Sequence, residues 1–230
     1  MTSPLRRPRT RRHAFVGGVA LLALTGCSNL HPGDAATVGS TSISRDQVNT
    51  LARIQCDLAE NQSQDPSKSQ PRAALVQGTV NVLVQTAIDN MYGKSVGASF
   101  DNSVLQGQIQ QFKSGVSGVP RTDQDTLVQA FTDYTRGQLL LADVGAKKLQ
   151  EQGQQNPDTN AAITEGNKLA ESWAKRLHVT IDPRYNPGRS DQAGGGDGSI
   201  SRVASSYAKS AAGTPTPTFV AGLPAALRCG

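Results

Sequence analysis

The chain has 230 residues, a formal net charge of +5 and few aromatic side chains, 4% of the total. The charge is local: of 23 Lys and Arg, five (Arg6, Arg7, Arg9, Arg11, Arg12) fall in the first thirteen residues, and the other 18 face 18 Asp and Glu. That balance excludes the basic surface on which nucleic-acid binding depends, and the length allows one domain with a largely aliphatic core.

The opening MTSPLRRPRTRRH is followed by an uncharged run, residues 14–24, and then by Thr25-Gly26-Cys27. This is a basic n-region, a short h-region and small residues at a cleavage point. At about 1.5 Å of rise per residue the run spans roughly half of a ~30 Å hydrocarbon core, too little for a transmembrane helix. Leu24-Thr25-Gly26-Cys27 resembles the lipobox of bacterial lipoproteins. The resemblance implies that residues 1–26 are a lipoprotein signal peptide, that the Cys27 thiol carries a diacylglycerol, and that the new amine is often acylated. Two or three acyl chains anchor stably, since each buried methylene contributes about 0.8 kcal/mol. The expected location is the extracytoplasmic face of the cell membrane, lipid-anchored. Arg11-Arg12 with Phe15 leave both Sec and twin-arginine export open.

With Cys27 lipidated, Cys56 and Cys229 remain. Either they form a disulfide, or one is a buried helical thiol and the other a reactive terminal one, which an extracellular protein tends to avoid; a disulfide is expected. It would close a loop of roughly 170 residues, worth about 5 kcal/mol in the chain-entropy model.

Residues 27–35 read as a tether and 36–189 as the folded domain. Val38 and Ile43 flank a Gly39-Ser40 turn, and Ser44 with Gln47 is a capping box that starts a helix at Arg45, running to about Glu60. Pro71 opens a long helix through Tyr92, with Leu75, Val76, Val80, Leu83, Val84, Ala87, Ile88 and Met91 in one wide stripe. Such a stripe is either the buried centre of a bundle or, over Leu75, Val76, Val80, Leu83 and Val84, a client groove. Asp101 caps a shorter helix over 102–113. Thr122 with Asp125 opens another, reaching about Gln150, in which Gly137 and Gly145 are weak points. Asn156-Pro157-Asp158 supplies a cap, a first-turn proline and an acid for a helix carrying Ile163, Leu169, Trp173 and Leu177. Val179 and Ile181 alternate as a short strand. Residues 190–230, with GGGDGSIS and GTPTPTF, read as a low-complexity, irregular tail pinned by the disulfide, in which Ile200, Val203 and Tyr207 hint at a short helix.

Two stretches carry a resemblance. AATVGSTSISRDQV (residues 35–48) resembles the opening of the SurA N-terminal chaperone domain, and VTIDPRY (residues 179–185) resembles its closing strand, which packs beside the opening one. The likeness covers residues 35–186 and points to the lipoprotein branch of actinobacteria. It implies a mainly α fold of the SurA N-terminal and trigger-factor C-terminal kind, with a small two-stranded element joining the ends. It also implies apolar grooves that cradle unfolded or partly folded exported polypeptides, with no cofactor. The parvulin isomerase domain of classical members has no room between Leu149 and Val179, and the histidine pair of that domain is missing.

Catalytic signals are weak. His178 and Asp182 are the one metal-like pairing, across a change from helix to strand, and no metal is expected there. Gly194 to Gly198 lacks the strand and helix of a phosphate loop. Asp123, Asp125 and Asp133 could be offered as acid–base carboxylates, but the helix dipole explains the first two. Trp173, between Leu169 and Leu177, reads as core. The expectation is a non-enzymatic, ATP-independent chaperone-type lipoprotein, or alternatively a scaffold for one dedicated cell-envelope partner.

Overall fold

The computed structural model describes residues 30–62, 69–185 and 215–229. Cys27, residues 194–198, Ile200, Val203 and Tyr207 lie outside the described residues.

Strands β1 (Asp34–Val38) and β2 (Thr41–Ser44) form a hairpin across Gly39-Ser40. Gly39 takes φ +55°, the positive value that a two-residue turn asks of its first central residue. The strand begins inside the expected tether, since Asp34 and Ala35 are buried strand residues. Strand β4 (Val179–Ile181) pairs antiparallel with the other side of β1, Ala36 opposite Ile181, giving the order β2-β1-β4. The element joining the chain ends therefore has three strands where two were expected. Its middle strand is buried at all five positions.

A charged clamp holds this junction. Asp182, just past β4, donates its N–H to Ala35 O at 2.9 Å and accepts from Arg45 Nη2 at 3.1 Å and Arg184 Nη2 at 2.7 Å. Arg45 also donates from Nε to Asp34 O at 3.0 Å. Arg184, first, and Arg45 hold the Asp182 carboxyl below the usual range, and the Ser42 hydroxyl does the same for Asp34. The His178–Asp182 pairing does not form, because the His178 ring faces the Thr180 hydroxyl at 3.1 Å.

Helix α1 (Arg45–Gln62) starts where the capping box places it, with Ser44 Oγ accepting from Gln47 N at 3.1 Å. Helix α2 (Arg72–Ser95) follows Pro71, and α3 (Asn102–Gly115) is capped by Asp101, which accepts from Ser103 N at 2.8 Å. Helix α4 (Arg121–Glu151) begins two residues earlier than the Thr122 box: Pro120 ends the preceding turn, its carbonyl takes Asp123 N, and Thr122 is already helical. Helix α5 (Thr159–Ala174) is capped by Asp158 rather than Asn156; its carboxylate accepts from Ala161 N at 2.9 Å and adds charge that favours the helix N-terminus.

Gly137 and Gly145 do not weaken α4; they let neighbours in. A Cβ on Gly145 would strike the Ala162 carbonyl and sit 2.7 Å from Gly166 N, while one on Gly166 would strike the Leu141 carbonyl. Helices α4 and α5 thus meet backbone to backbone. Gly137 faces Asp89 and Asn90 of α2, a Cβ there lying 3.2 Å from each. The core lies between these helices and the sheet, around Val38, Val48, Val80 and Leu141, all fully buried.

The described end of the tail is ordered structure, not irregular chain. Helix α6 (Pro217–Ala221) is capped by Thr216, and β5 (Arg228–Cys229) pairs antiparallel with β3 (Gln70–Pro71). Cys229 and Cys56 are bonded, with Cα atoms 4.9 Å apart across 173 residues of sequence. Val220 and Leu223 are buried with them. The fold class is mainly helical with small antiparallel sheets. Among the described residues no helix is long and apolar enough to cross a membrane.

Candidate functional site

Leu51 of α1, Val82 and Leu83 of α2, Phe112 of α3, and Leu127, Phe131 and Tyr134 of α4 line an apolar groove of about 240 Å³. Helical periodicity explains the assembly. Val82 and Leu83 lie on the edge of the α2 stripe, and Leu127, Phe131 and Tyr134 recur at three- and four-residue steps on one face of α4. Val82 is 54% exposed and Tyr134 47% exposed, so the groove is open to solvent at these two side chains.

Phe112 and Phe131 are stacked, ring centroids 3.9 Å apart and planes 1° from parallel. The pair also borders a second, wider concavity with Gln108, Gln111, Gly115 and Val116. Helix α3 buries only Leu105 and Ile109 and packs chiefly on α4. Its Phe112 ring, with Phe131, borders both concavities. Covering roughly 100 Å² of such surface by a partner side chain is worth about 2.5 kcal/mol.

Of the five residues offered by sequence as a client groove, Leu83 alone reaches this one. Val80 and Val84 are buried in the core beside it, and Leu75 and Val76 are half-buried without lining the groove. The expected groove is therefore corrected to bundle interior: a stripe this wide faces α1, α4 and α5 at once. Trp173 packs against the core and tilts onto Tyr92 with ring centroids 5.7 Å apart. Cys56 and Cys229 are joined as expected.

The three aspartates do not converge. Asp123 is paired with Arg53 at 2.9 Å across α1 and α4, whereas Asp133 is paired with Arg136 at 2.6 Å on its own helix. Among the described residues no three His, Cys, Asp or Glu side chains group at metal-binding distance. One acid escaped sequence reasoning. Asp89 on α2 is 2% exposed and accepts from Gln85 Nε2 at 2.7 Å. Burial pushes its carboxyl up to about 6, with Glu171 of α5 adding to the rise and Gln85 opposing it. The signal was an aspartate set directly after Ile88 within the apolar stripe.

Comparison with protein-family models, curated proteins and solved structures finds no match for this chain.

Proposed function

We propose that this chain is a membrane-anchored extracytoplasmic lipoprotein whose helical domain holds unfolded or partly folded polypeptides without ATP, a cofactor or isomerase chemistry. The observation that carries the reading is the solvent-open apolar groove among α1, α2 and α4, walled by Phe112. A soluble domain that leaves Val82 and Tyr134 uncovered around a concavity gains by covering them reversibly. The SurA-like opening and closing segments support the same reading, because they meet as neighbouring strands on β1. Cys27 would hold the groove near the export site and raise its effective concentration there.

The test is aggregation of a chemically unfolded exported protein on dilution, with this protein added stoichiometrically. Suppression that fades once the client has folded supports the proposal. No suppression by a well-folded protein moves the assignment to a scaffold with one dedicated partner. Cys27→Ser is expected to release the protein to the medium or leave it unprocessed; membrane retention of a stable, trimmed product would remove the anchor from the reading.

A further inference from the structure

The bonds of β1 show which way β2 faces. Gly39 N donates to His178 O and Asp182 N donates to Ala35 O, each at 2.9 Å, so residues 35, 37 and 39 turn their backbone groups toward β4. Ala36 and Val38 turn theirs toward β2, opposite Ile43 and Thr41. Ser42, opposite Thr37, is left with its N–H and C=O pointing outward. Among the described residues no strand lies beyond β2.

A cavity of about 250 Å³ runs along this edge. Thr41, Ser42 and Ile43 form one side, Asn90 and Lys94 of α2 and Arg136 of α4 the other, and β1 contributes nothing to it. Asn90 Nδ2 donates to Thr86 O and Asp133 O, both at 2.8 Å, which fixes the amide orientation. Its Oδ1 is consequently buried with no donor among the described residues. Lys94 has no acidic partner among the described residues, and Arg136 shares Asp133, so the cavity carries one surplus positive charge.

We infer that the outer edge of β2 and this cavity form a strand-addition site for an extended polypeptide segment of neutral or acidic composition. An outward N–H and C=O beside a surplus cation complement a main chain rather than an apolar side chain. Leu83, Thr86 and Ala130 line both this cavity and the apolar groove, so one segment can lay side chains in the groove and backbone along β2. The inference rests on the polypeptide-binding reading and adds a backbone-directed contact to it.

The test is hydrogen–deuterium exchange of the full chain with and without reduced, carboxymethylated lactalbumin, a permanently unfolded acidic probe. Exchange at the Ser42 amide is expected to slow about tenfold on binding. Ser42→Pro removes the outward N–H without touching the ladder to β1 and is expected to weaken binding about tenfold, whereas Ser42→Ala, which loses the same hydroxyl, stays within about twofold. Binding that protects the groove around Phe131 but not Ser42 overturns the strand-addition site and leaves the groove reading standing. Absence of any binding removes both. Protection of Ser42 that rises with protein concentration and needs no probe assigns the edge to a second copy and also overturns the inference.

Discussion

Helix α4 has two interfaces built on opposite rules. Toward α5 it presents Gly145, and Gly166 answers, so the two backbones touch with no side chain between them. Toward α3 it presents Phe131, which meets Phe112 face to face and holds open a concavity on either side. Small residues close a seam; flat rings prop a gap. The domain can thus expose apolar surface at one face because the other is locked by contacts that leave no room to slide.

Gly145→Ala should break the locked side hardest. Its methyl group must displace the α5 backbone, and a loss of about 4 kcal/mol in urea unfolding is expected. A loss below about 1 kcal/mol would mean that α5 can shift, and the contrast with α3 would fail. Next in size, Cys56→Ser with Cys229→Ser should cost about 3 kcal/mol by freeing the end of the chain from α1, with polypeptide binding in the groove retained.

Asp89→Asn should act in the other direction. A carboxyl whose folded pKa is raised to about 6 favours folding when protonated, and that contribution fades as pH climbs from the unfolded value of 3.8 through 6. The asparagine variant is therefore expected to be more stable than the parent by about 2 kcal/mol at pH 7.5, with the difference gone by pH 4. Equal stability at both pH values would show that Asp89 is neutralised by a partner. The smallest effect on folding belongs to the open side: Tyr134→Ala should change stability by less than about 0.5 kcal/mol. It should nevertheless weaken capture of an unfolded client about tenfold in a titration. A large stability loss would place Tyr134 in the core instead.

Much of the fold was legible locally. Ser44 and Asp101 cap the helices they precede because an acceptor oxygen near free amides acts within one turn and needs no distant partner. Two starts were misplaced where neighbouring residues compete for the same role: Pro120 outran Thr122, and the charged Asp158 outdid Asn156. The stripe on α2 was also correct as a stripe. Periodicity says which residues share a face; it does not say which neighbours cover that face, and so it put Leu75, Val76, Val80 and Val84 in the groove beside Leu83 and left out Phe131 and Tyr134. Likewise Gly137 and Gly145 read as helix weaknesses, since the carbonyl and side chains that need their missing Cβ atoms come from α5 and α2.

What the sequence determined alone were the properties set by near neighbours and by counting. These are the five helices of the body, the hairpin turn at Gly39, and the neutral balance beyond the first residues. The tertiary structure decided what depends on residues brought together from far apart. Asp182 clamps Arg45 across 137 positions, β5 closes on β3, the glycine seam forms between α4 and α5, and a groove is left where Phe112 props α3 away from α2. Local signals are energies of a few residues, whereas a cavity is the space that several packed elements fail to fill, and no single segment encodes it.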